Sequence, residues 1–156
     1  MKKIVLGVML LGSIITTVNA QPRAIGGRLG GDVEFSYQHR LGKNMIDATA
    51  GLGLGYNHLA IDFTAMYDWV FPISSWKQAG KWNWYVGPGA GLGFIVNRHV
   101  RIPVKLNLGG QIGVEYQFNF PLNLSLDYRP MINVLGFGNH TWGNFFGIAL
   151  GIRYRF

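Results

Sequence analysis

The strongest constraint in this sequence is an alternation of polar and apolar residues with a period of two. Between Lys105 and Phe118, apolar side chains occupy most even positions, and polar residues or glycines occupy the odd positions. Successive side chains of a β-strand point to opposite faces, so this pattern predicts a strand with one apolar and one polar face. An amphipathic helix would instead repeat its apolar residues every three or four positions.

The same alternation recurs along the chain and predicts seven strands, including the one just described. Segments rich in Gly, Asn and Pro separate the runs, and such segments are typical of turns. The runs span residues 33–38, 46–55, 59–69, 82–94, 105–118, 122–133 and 146–156. Pro88 lies inside one run and cannot donate a backbone hydrogen bond, so we expect a bulge or a locally broken ladder there.

An eighth strand follows from the requirement that the sheet closes. Single-chain bacterial barrels have an even number of antiparallel strands, which brings both ends of the chain to one side. Residues 23–29 carry a weaker alternation, and Gly30, Gly31 and Asp32 then offer a site for a tight hairpin. The sequence therefore predicts an all-β fold, an eight-stranded antiparallel barrel whose first strand has the least marked pattern.

The direction in which the apolar face points distinguishes a soluble barrel from a membrane barrel. The apolar faces are long and rich in Leu, Ile and Phe, whereas the polar faces are rich in Gly, which leaves room inside a narrow barrel. Aromatic residues near the strand ends are typical of the girdles at a lipid–water boundary. These residues are Tyr37, Tyr56, Tyr67, Trp69, Trp82, Trp84, Tyr116, Tyr128 and Tyr154. We therefore predict a transmembrane barrel with its apolar face outside.

The polar faces carry a balanced set of charges. The six bases are Arg28, Arg40, Lys105, Arg129, Arg153 and Arg155, and the six acids are Glu34, Asp47, Asp62, Asp68, Glu115 and Asp127. The interior of an eight-stranded barrel is just wide enough to be filled by side chains. Because buried charges need partners, we interpret this set as a salt-bridged plug of the lumen. A proton or ion path along the same residues is the alternative.

The first twenty residues have the features of a secretory signal peptide. Lys2 and Lys3 precede an apolar run from Ile4 to Val18, and small residues follow up to Ala20. A helix of this run would rise only about 22 Å, which is shorter than a hydrocarbon core of about 30 Å. We therefore expect residues 1–20 to be cleaved and residues 21–156 to form the barrel.

The chain ends in Leu150-Gly151-Ile152-Arg153-Tyr154-Arg155-Phe156, with a terminal Phe preceded by apolar or aromatic residues at alternate positions. In this feature, and in the strand pattern from Arg23 to Phe156, the sequence resembles the small eight-stranded, porin-like outer-membrane barrels of OmpA/OmpX-type architecture. The resemblance implies a location in the cell outer membrane and assembly by the barrel-insertion machinery. Tyr154 and Phe156 would then serve as the insertion signal. The resemblance implies no catalytic residue and no cofactor.

The residues themselves offer little chemistry. There is no cysteine, which excludes disulfides, zinc-thiolate sites and a cysteine nucleophile. His39, His58, His99 and His140 are not patterned with a serine and an acid as a catalytic triad requires, and they lack metal-ligand spacing. The glycine-rich stretches 51–55 and 87–93 precede no helix, so they indicate small lumenal residues rather than phosphate loops. We expect a protein that is not an enzyme, with no cofactor or metal.

One hairpin concentrates positive charge. Arg98, Arg101 and Lys105 lie in or beside an expected outer loop, and such side chains pair well with phosphates. We predict that they contact lipopolysaccharide, with a solvated basic loop as the alternative. Without Lys2 and Lys3 the chain has 12 basic and 7 acidic residues spread over the lumen and both rims, which disfavours nucleic-acid binding.

The sequence thus predicts a structural or interaction role at the cell envelope, with outer-membrane lipid as its surroundings. Two other functions stay open, namely a narrow channel or small-solute transporter, and more remotely a lipid A-modifying enzyme. The sequence contains no indication of the oligomeric state.

Overall fold

The computed structural model describes residues 22–55, 58–74, 76, 79–96, 104–135 and 147–156. The expected signal peptide, residues 1–20, lies outside these ranges. The strands are β1 Arg23–Leu29, β2 Val33–Leu41, β3 Asn44–Gly55, β4 His58–Pro72, β5 Lys81–Val96, β6 Val104–Gln117, β7 Leu122–Tyr128, β8 Met131–Leu135 and β9 Ile148–Arg155. Within the described ranges, no helix has the length and apolar character needed to cross a membrane.

The strands form one closed antiparallel sheet. Each strand from β1 to β6 pairs with the next, and β1 also pairs with β9, which closes the cylinder. Both β7 and β8 pair with β6, and the register is the same on either side of Pro130, with Tyr128 opposite Ile112 and Ile132 opposite Leu108. It shifts only at the far end of β8, where Leu135 lies opposite Leu106. Strands β7 and β8 are two halves of one strand, interrupted next to Pro130, which has no N–H to donate. The nine segments therefore make the predicted eight-stranded barrel.

The first strand, which has the least marked alternation in the sequence, is present at the predicted positions. β1 spans Arg23–Leu29 and pairs along its whole length with β2. The turn that follows is short, and the Gly30 amide donates to the Asp32 carbonyl oxygen at 3.1 Å. The prediction of an eighth strand followed by a tight turn is confirmed.

The ladder between β4 and β5 is interrupted beside Pro88, as the sequence suggested. Met66 lies opposite Gly89 and Trp69 lies opposite Val86 in the same register, but the two intervening pairs are missing. The break is therefore local and involves no bulge. At Gly87 the strands approach so closely that a Cβ atom would lie 1.9 Å from the Tyr67 carbonyl oxygen, which only glycine allows.

Polar side chains fill the interior of this barrel, and apolar side chains cover its exterior. Gln111 is 2% exposed, whereas its neighbour Ile112 is 49% exposed. The largest fully buried side chains all lie on the predicted inner faces, and they are Arg153, Tyr85, Met45, Met66, Gln111, Glu115, Asn123, Asp47, Asp68 and Ser36. The predicted facing of the strands is confirmed, and it is the reverse of the usual distribution in a water-soluble domain.

Aromatic side chains cover part of the rim at the end of the barrel where Arg23 and Phe156 lie, which we call the terminal end. Successive ring centroids are 4.7 Å apart for Trp82 and Tyr116, 4.6 Å for Tyr116 and Phe118, and 4.9 Å for Phe118 and Phe120. Six predicted girdle residues lie in the strand halves next to this end: Tyr67, Trp69, Trp82, Trp84, Tyr116 and Tyr154.

Two residues assigned to the girdles from the sequence lie elsewhere. Tyr37 is midway along β2, and Tyr128 is midway along the strand formed by β7 and β8. Tyr128 resembled a strand end in the sequence because Pro130 follows it, but the chain continues in the same register beyond the proline. Tyr56 lies outside the described residues.

Candidate functional site in the barrel interior

The charged interior is built by the alternation of inner and outer positions on adjacent strands. Arg28 of β1 lies opposite Glu34 of β2, and its Nη1 donates to Glu34 Oε2 at 2.8 Å. The same guanidinium reaches Asp127 of β7, where Nε and Nη2 donate to Oδ1 at 2.8 and 2.5 Å. Tyr85 completes this group, because its hydroxyl donates to Asp127 Oδ2 at 3.2 Å. One arginine thus connects two carboxylates from opposite parts of the chain.

A second group is centred on Asp47, which is fully buried. Its carboxylate accepts a hydrogen bond from the Ser36 hydroxyl at 3.0 Å and another from Arg153 Nη2 at 3.3 Å. Arg129 Nη2 lies 3.5 Å from the same carboxylate. Arg153 also donates to Ser125 Oγ at 2.6 Å, so that its donors reach both charged and neutral acceptors.

Arg129 links these two groups. Its Nη1 lies 3.5 Å from Glu34 Oε2 and donates to Thr49 Oγ1 at 3.0 Å, while its Nε donates to Gln111 Oε1 at 2.7 Å. Arg129 is 4% exposed. A buried arginine needs most of its five donors satisfied, and here neutral oxygens supply part of what the carboxylates do not.

A third group surrounds Glu115, closer to the terminal end. Arg40 forms an ion pair with this carboxylate. Three side-chain amides donate to it as well, from Asn83 at 2.9 Å, Gln117 at 2.9 Å and Asn123 at 3.0 Å. Glu115 is therefore heavily hydrogen-bonded, which offsets the loss of its hydration.

Four predicted members of the network have no direct charge partner in the part of the chain that the structure describes. Asp68 is fully buried, and neither of its carboxylate oxygens has a hydrogen-bond partner there. Asp62 and Lys105 flank Gly93 on the inner face without a direct ion pair between them. Arg155 donates only to neutral oxygens, those of Gln117 Oε1 at 3.2 Å and of the Phe118 and Phe120 carbonyls at 2.5 and 3.0 Å.

The sequence analysis named the charged residues and missed their neutral partners. The additional inner-face residues that hydrogen-bond the charges are Ser36, Thr49, Asn83, Tyr85, Gln111, Gln117, Asn123 and Ser125. The signal for most of them was present, since they occupy the same alternating positions as the predicted lumenal charges of their strands. Asn83 and Tyr85 are the exceptions, because β5 carries none of those charges. An interpretation restricted to formal charge overlooked them.

The remaining predicted site residues are distributed over both ends of the barrel. Arg98 and Arg101 lie outside the described residues, whereas Lys105 belongs to β6 and faces the interior beside Gly93. Tyr154 and Phe156 are exposed on the outer side. Phe156 also extends the junction of β9 with β1, which we call the seam. Its amide donates to the Arg23 carbonyl at 2.8 Å and its carbonyl accepts from the Arg23 amide at 3.1 Å.

The histidines and acids form no metal-holding group in the described part of the chain. His39 is on the outer side, with Nδ1 3.3 Å from the Tyr37 hydroxyl oxygen. His99 and His140 lie outside the described residues. In the described ranges, no group of three or more His, Asp or Glu residues has the arrangement to hold a metal ion.

Comparisons with known proteins bear on the fold. No family model matches the chain, and no curated protein matches it in sequence. Among solved structures, the chain is similar to the crystal structure of Neisserial surface protein A (NspA), with a TM-score of 0.57 and 12% sequence identity. The match covers 86% of this chain and 94% of that chain. The fold is that of a small eight-stranded barrel. The resemblance inferred from the sequence is thus confirmed at the level of the fold.

Proposed function

We propose that this protein is a small outer-membrane barrel that is exported by its N-terminal signal peptide and acts as a structural or interaction component of the cell envelope. The single observation that carries the proposal is the reversed distribution of side chains in a closed sheet. In hydrocarbon every backbone amide must be paired within the protein, which a closed barrel achieves. Exposed Leu, Ile, Val and Phe side chains cover its outer wall and would contact lipid tails.

The filled lumen supports a structural role over a channel. Arg153, Tyr85, Met45 and Met66 are among the large side chains with almost no exposed surface. Arg28, Arg129 and the other buried bases hold side chains from several strands in fixed positions through the contacts described above. A solute would have to break these ion pairs to pass. The alternative, a narrow ion path, is favoured by the polar interior and by the buried carboxylate of Asp68, which has no hydrogen-bond partner among the described residues.

Conductance measurements distinguish these two functions. The chain from residue 21 to 156, folded in detergent and added to planar bilayers, should give no sustained open steps if the plug stays in place. Stable single-channel steps that disappear in an Asp68→Leu variant would contradict the structural role and support the ion path. Partitioning of the same chain into water as a monodisperse monomer, without detergent or lipid, would contradict the membrane proposal itself.

Contact with lipopolysaccharide is a separate part of the proposal. Arg98 and Arg101 lie in the expected outer loop, and their guanidinium groups match phosphate geometry. Lys105 joins them in sequence, although its position on the inner face of β6 directs it toward the lumen. Replacement of Arg98 and Arg101 by Gln should weaken binding of lipid A to the folded barrel in detergent, whereas Lys43→Gln, in the turn at the opposite end, should leave binding unchanged.

Assembly by the insertion machinery is proposed from the last residues. Tyr154 and Phe156 present their rings on the outer face next to the seam. Deletion of Phe156 should reduce the yield of folded protein in the outer membrane, measured by heat-modifiable migration in gels. An unchanged yield would contradict the role of this residue as a signal.

A further inference from the structure

A small cleft opens in the mouth of the barrel at the terminal end. Gln38 and Arg40 of β2, Gln117 of β6, Asn123 of β7 and Arg155 of β9 line it, and its volume is about 10 Å³. A space of this size holds one atom or group as large as a water molecule. We call it the mouth cleft.

The charges around the mouth cleft are not balanced. Arg40 and Arg155 lie close enough to repel each other electrostatically. Glu115 is the acid in contact with Arg40, and it already accepts hydrogen bonds from three amides. Arg155 is held by neutral oxygens alone. Arg23 lines the mouth cleft as well. Among the described residues, three guanidinium groups thus lie around the cleft with one carboxylate in contact, that of Glu115 on the side of Arg40.

Two buried donors in the mouth cleft have no acceptor. Gln38 is 3% exposed, and its Nε2 has no hydrogen-bond partner among the described residues. The buried Nε of Arg155 likewise has none in the same part of the chain. A buried donor without a partner is rare in folded proteins and calls for an explanation. Here both donors belong to side chains that line one cleft.

A water molecule would satisfy part of this arrangement, because Asn123 of the same cleft has an acceptor, Oδ1, with no donor among the residues that the structure describes. Water carries no charge, however, and would leave the repulsion between Arg40 and Arg155 in place. An anionic oxygen accepts hydrogen bonds from both unpartnered donors and also compensates the two positive charges. The charge pattern therefore favours an anion over water.

We propose that the mouth cleft is an anion-binding site, which takes one oxygen atom of a carboxylate or phosphate group between Arg40, Arg155 and Gln38. The guanidinium fork suits these oxyanions better than it suits a spherical ion. The site goes beyond the envelope role, since it gives the terminal end a ligand of its own. It does not depend on the surroundings of the outer wall, because the cleft lies within the mouth.

The test measures the NMR signals of the two unpartnered donors as the anion is changed. In the barrel folded in detergent, the side-chain signals of Arg155 Nε–H and Gln38 Nε2–H are recorded by NMR while sodium acetate or inorganic phosphate replaces sodium chloride at constant ionic strength. A saturable shift of both signals supports the site. No shift, or a shift that grows without saturation, overturns it and leaves the cleft to water or chloride.

A second arm identifies the source of the oxyanion. Phosphatidylglycerol is added to the same micelles in place of the soluble salts. Saturation with acetate or phosphate indicates a soluble ligand, whereas saturation with the lipid alone indicates a headgroup of the surrounding membrane. Both results support the mouth cleft as an oxyanion site, and the absence of saturation in all series overturns it.

Variants separate the site from general positive charge. Arg155→Gln should weaken binding at least tenfold, and Gln38→Glu, which places a carboxylate in the mouth cleft, should abolish it. Lys43→Gln removes the same charge from the exposed turn at the terminal end and should leave the affinity unchanged. Equal weakening by Lys43→Gln and Arg155→Gln would overturn the proposal. If Arg155→Gln does not fold, the comparison of Gln38→Glu with Lys43→Gln decides.

Discussion

Replacement of Ile112 by arginine tests the proposal that the outer wall meets hydrocarbon. Ile112 is 49% exposed and lies on β6, between Val86 of β5 and Tyr128 of β7, far from both strand ends. On the surface of a water-soluble protein such a change alters the free energy of unfolding by less than about 0.5 kcal/mol. At the midplane of a bilayer it costs about 2–4 kcal/mol, because the charge is removed from water.

The expected loss corresponds to roughly a 30- to 700-fold change in the folding equilibrium, since about 1.4 kcal/mol is a factor of ten. The measurement is a urea titration of the barrel in lipid vesicles, followed by tryptophan fluorescence. Leu41→Arg is the matched control, because Leu41 is exposed and apolar like Ile112 but ends β2 beside the turn at Gly42. Near the lipid–water boundary its cost should be about 0–1 kcal/mol. Equal costs at the two positions would refute the assignment of the outer wall to hydrocarbon.

The other predictions concern two buried carboxylates, measured by the same urea titration, and one close approach of strands, measured by the yield of folded protein. Asp47→Asn leaves Arg129 and Arg153 without this carboxylate, so the loss should approach about 3–5 kcal/mol, whereas Asp62→Asn should cost less because Asp62 has no direct ion pair among the described residues. Asp68→Asn should be neutral or stabilising, because it replaces an unpartnered buried carboxylate by an uncharged group of the same shape; a loss as large as that of Asp47→Asn would contradict this. Gly87→Ala should prevent normal closure of β4 on β5, while Gly27→Ala should be tolerated, since the nearest atom to its Cβ would be 3.8 Å away; similar yields of folded protein would contradict the close approach at Gly87.

An arginine at Gln111, the inner neighbour of Ile112, would meet a charge that is already in place. Gln111 Oε1 accepts a hydrogen bond from Arg129 Nε at 2.7 Å, so a second guanidinium would face the first in a buried space. The inner and outer facing of Gln111 and Ile112 follows from the alternation in the sequence, whereas the contact between Gln111 and Arg129 does not.

Strand positions were largely predictable because the alternation reports directly on which face of a strand each residue occupies. β1 spans the same residues as predicted, and the break beside Pro88 follows from the chemistry of proline. The interruption between β7 and β8 beside Pro130 was not predicted, because the alternation from Leu122 to Asn133 continues unchanged through it.

The ion pairs within the lumen could not be predicted from the sequence. Alternation identifies Arg28 and Asp127 as inner residues, but their contact depends on how far each strand is displaced along the barrel axis. For the same reason an equal count of acids and bases did not reveal that Asp68 has no partner among the described residues. Charge balance is a property of the whole set, whereas ion pairing depends on the position of each residue.

The seam between Phe156 and Arg23 has a consequence for folding. Its two hydrogen bonds extend the pairing of β9 with β1, two strands that lie far apart in the sequence. The sheet has two open edges until that final strand docks, and such contacts between distant parts of a chain form slowly. A fragment without β9 therefore has no smaller cylinder to adopt, and the sheet can close only when β9 docks on β1.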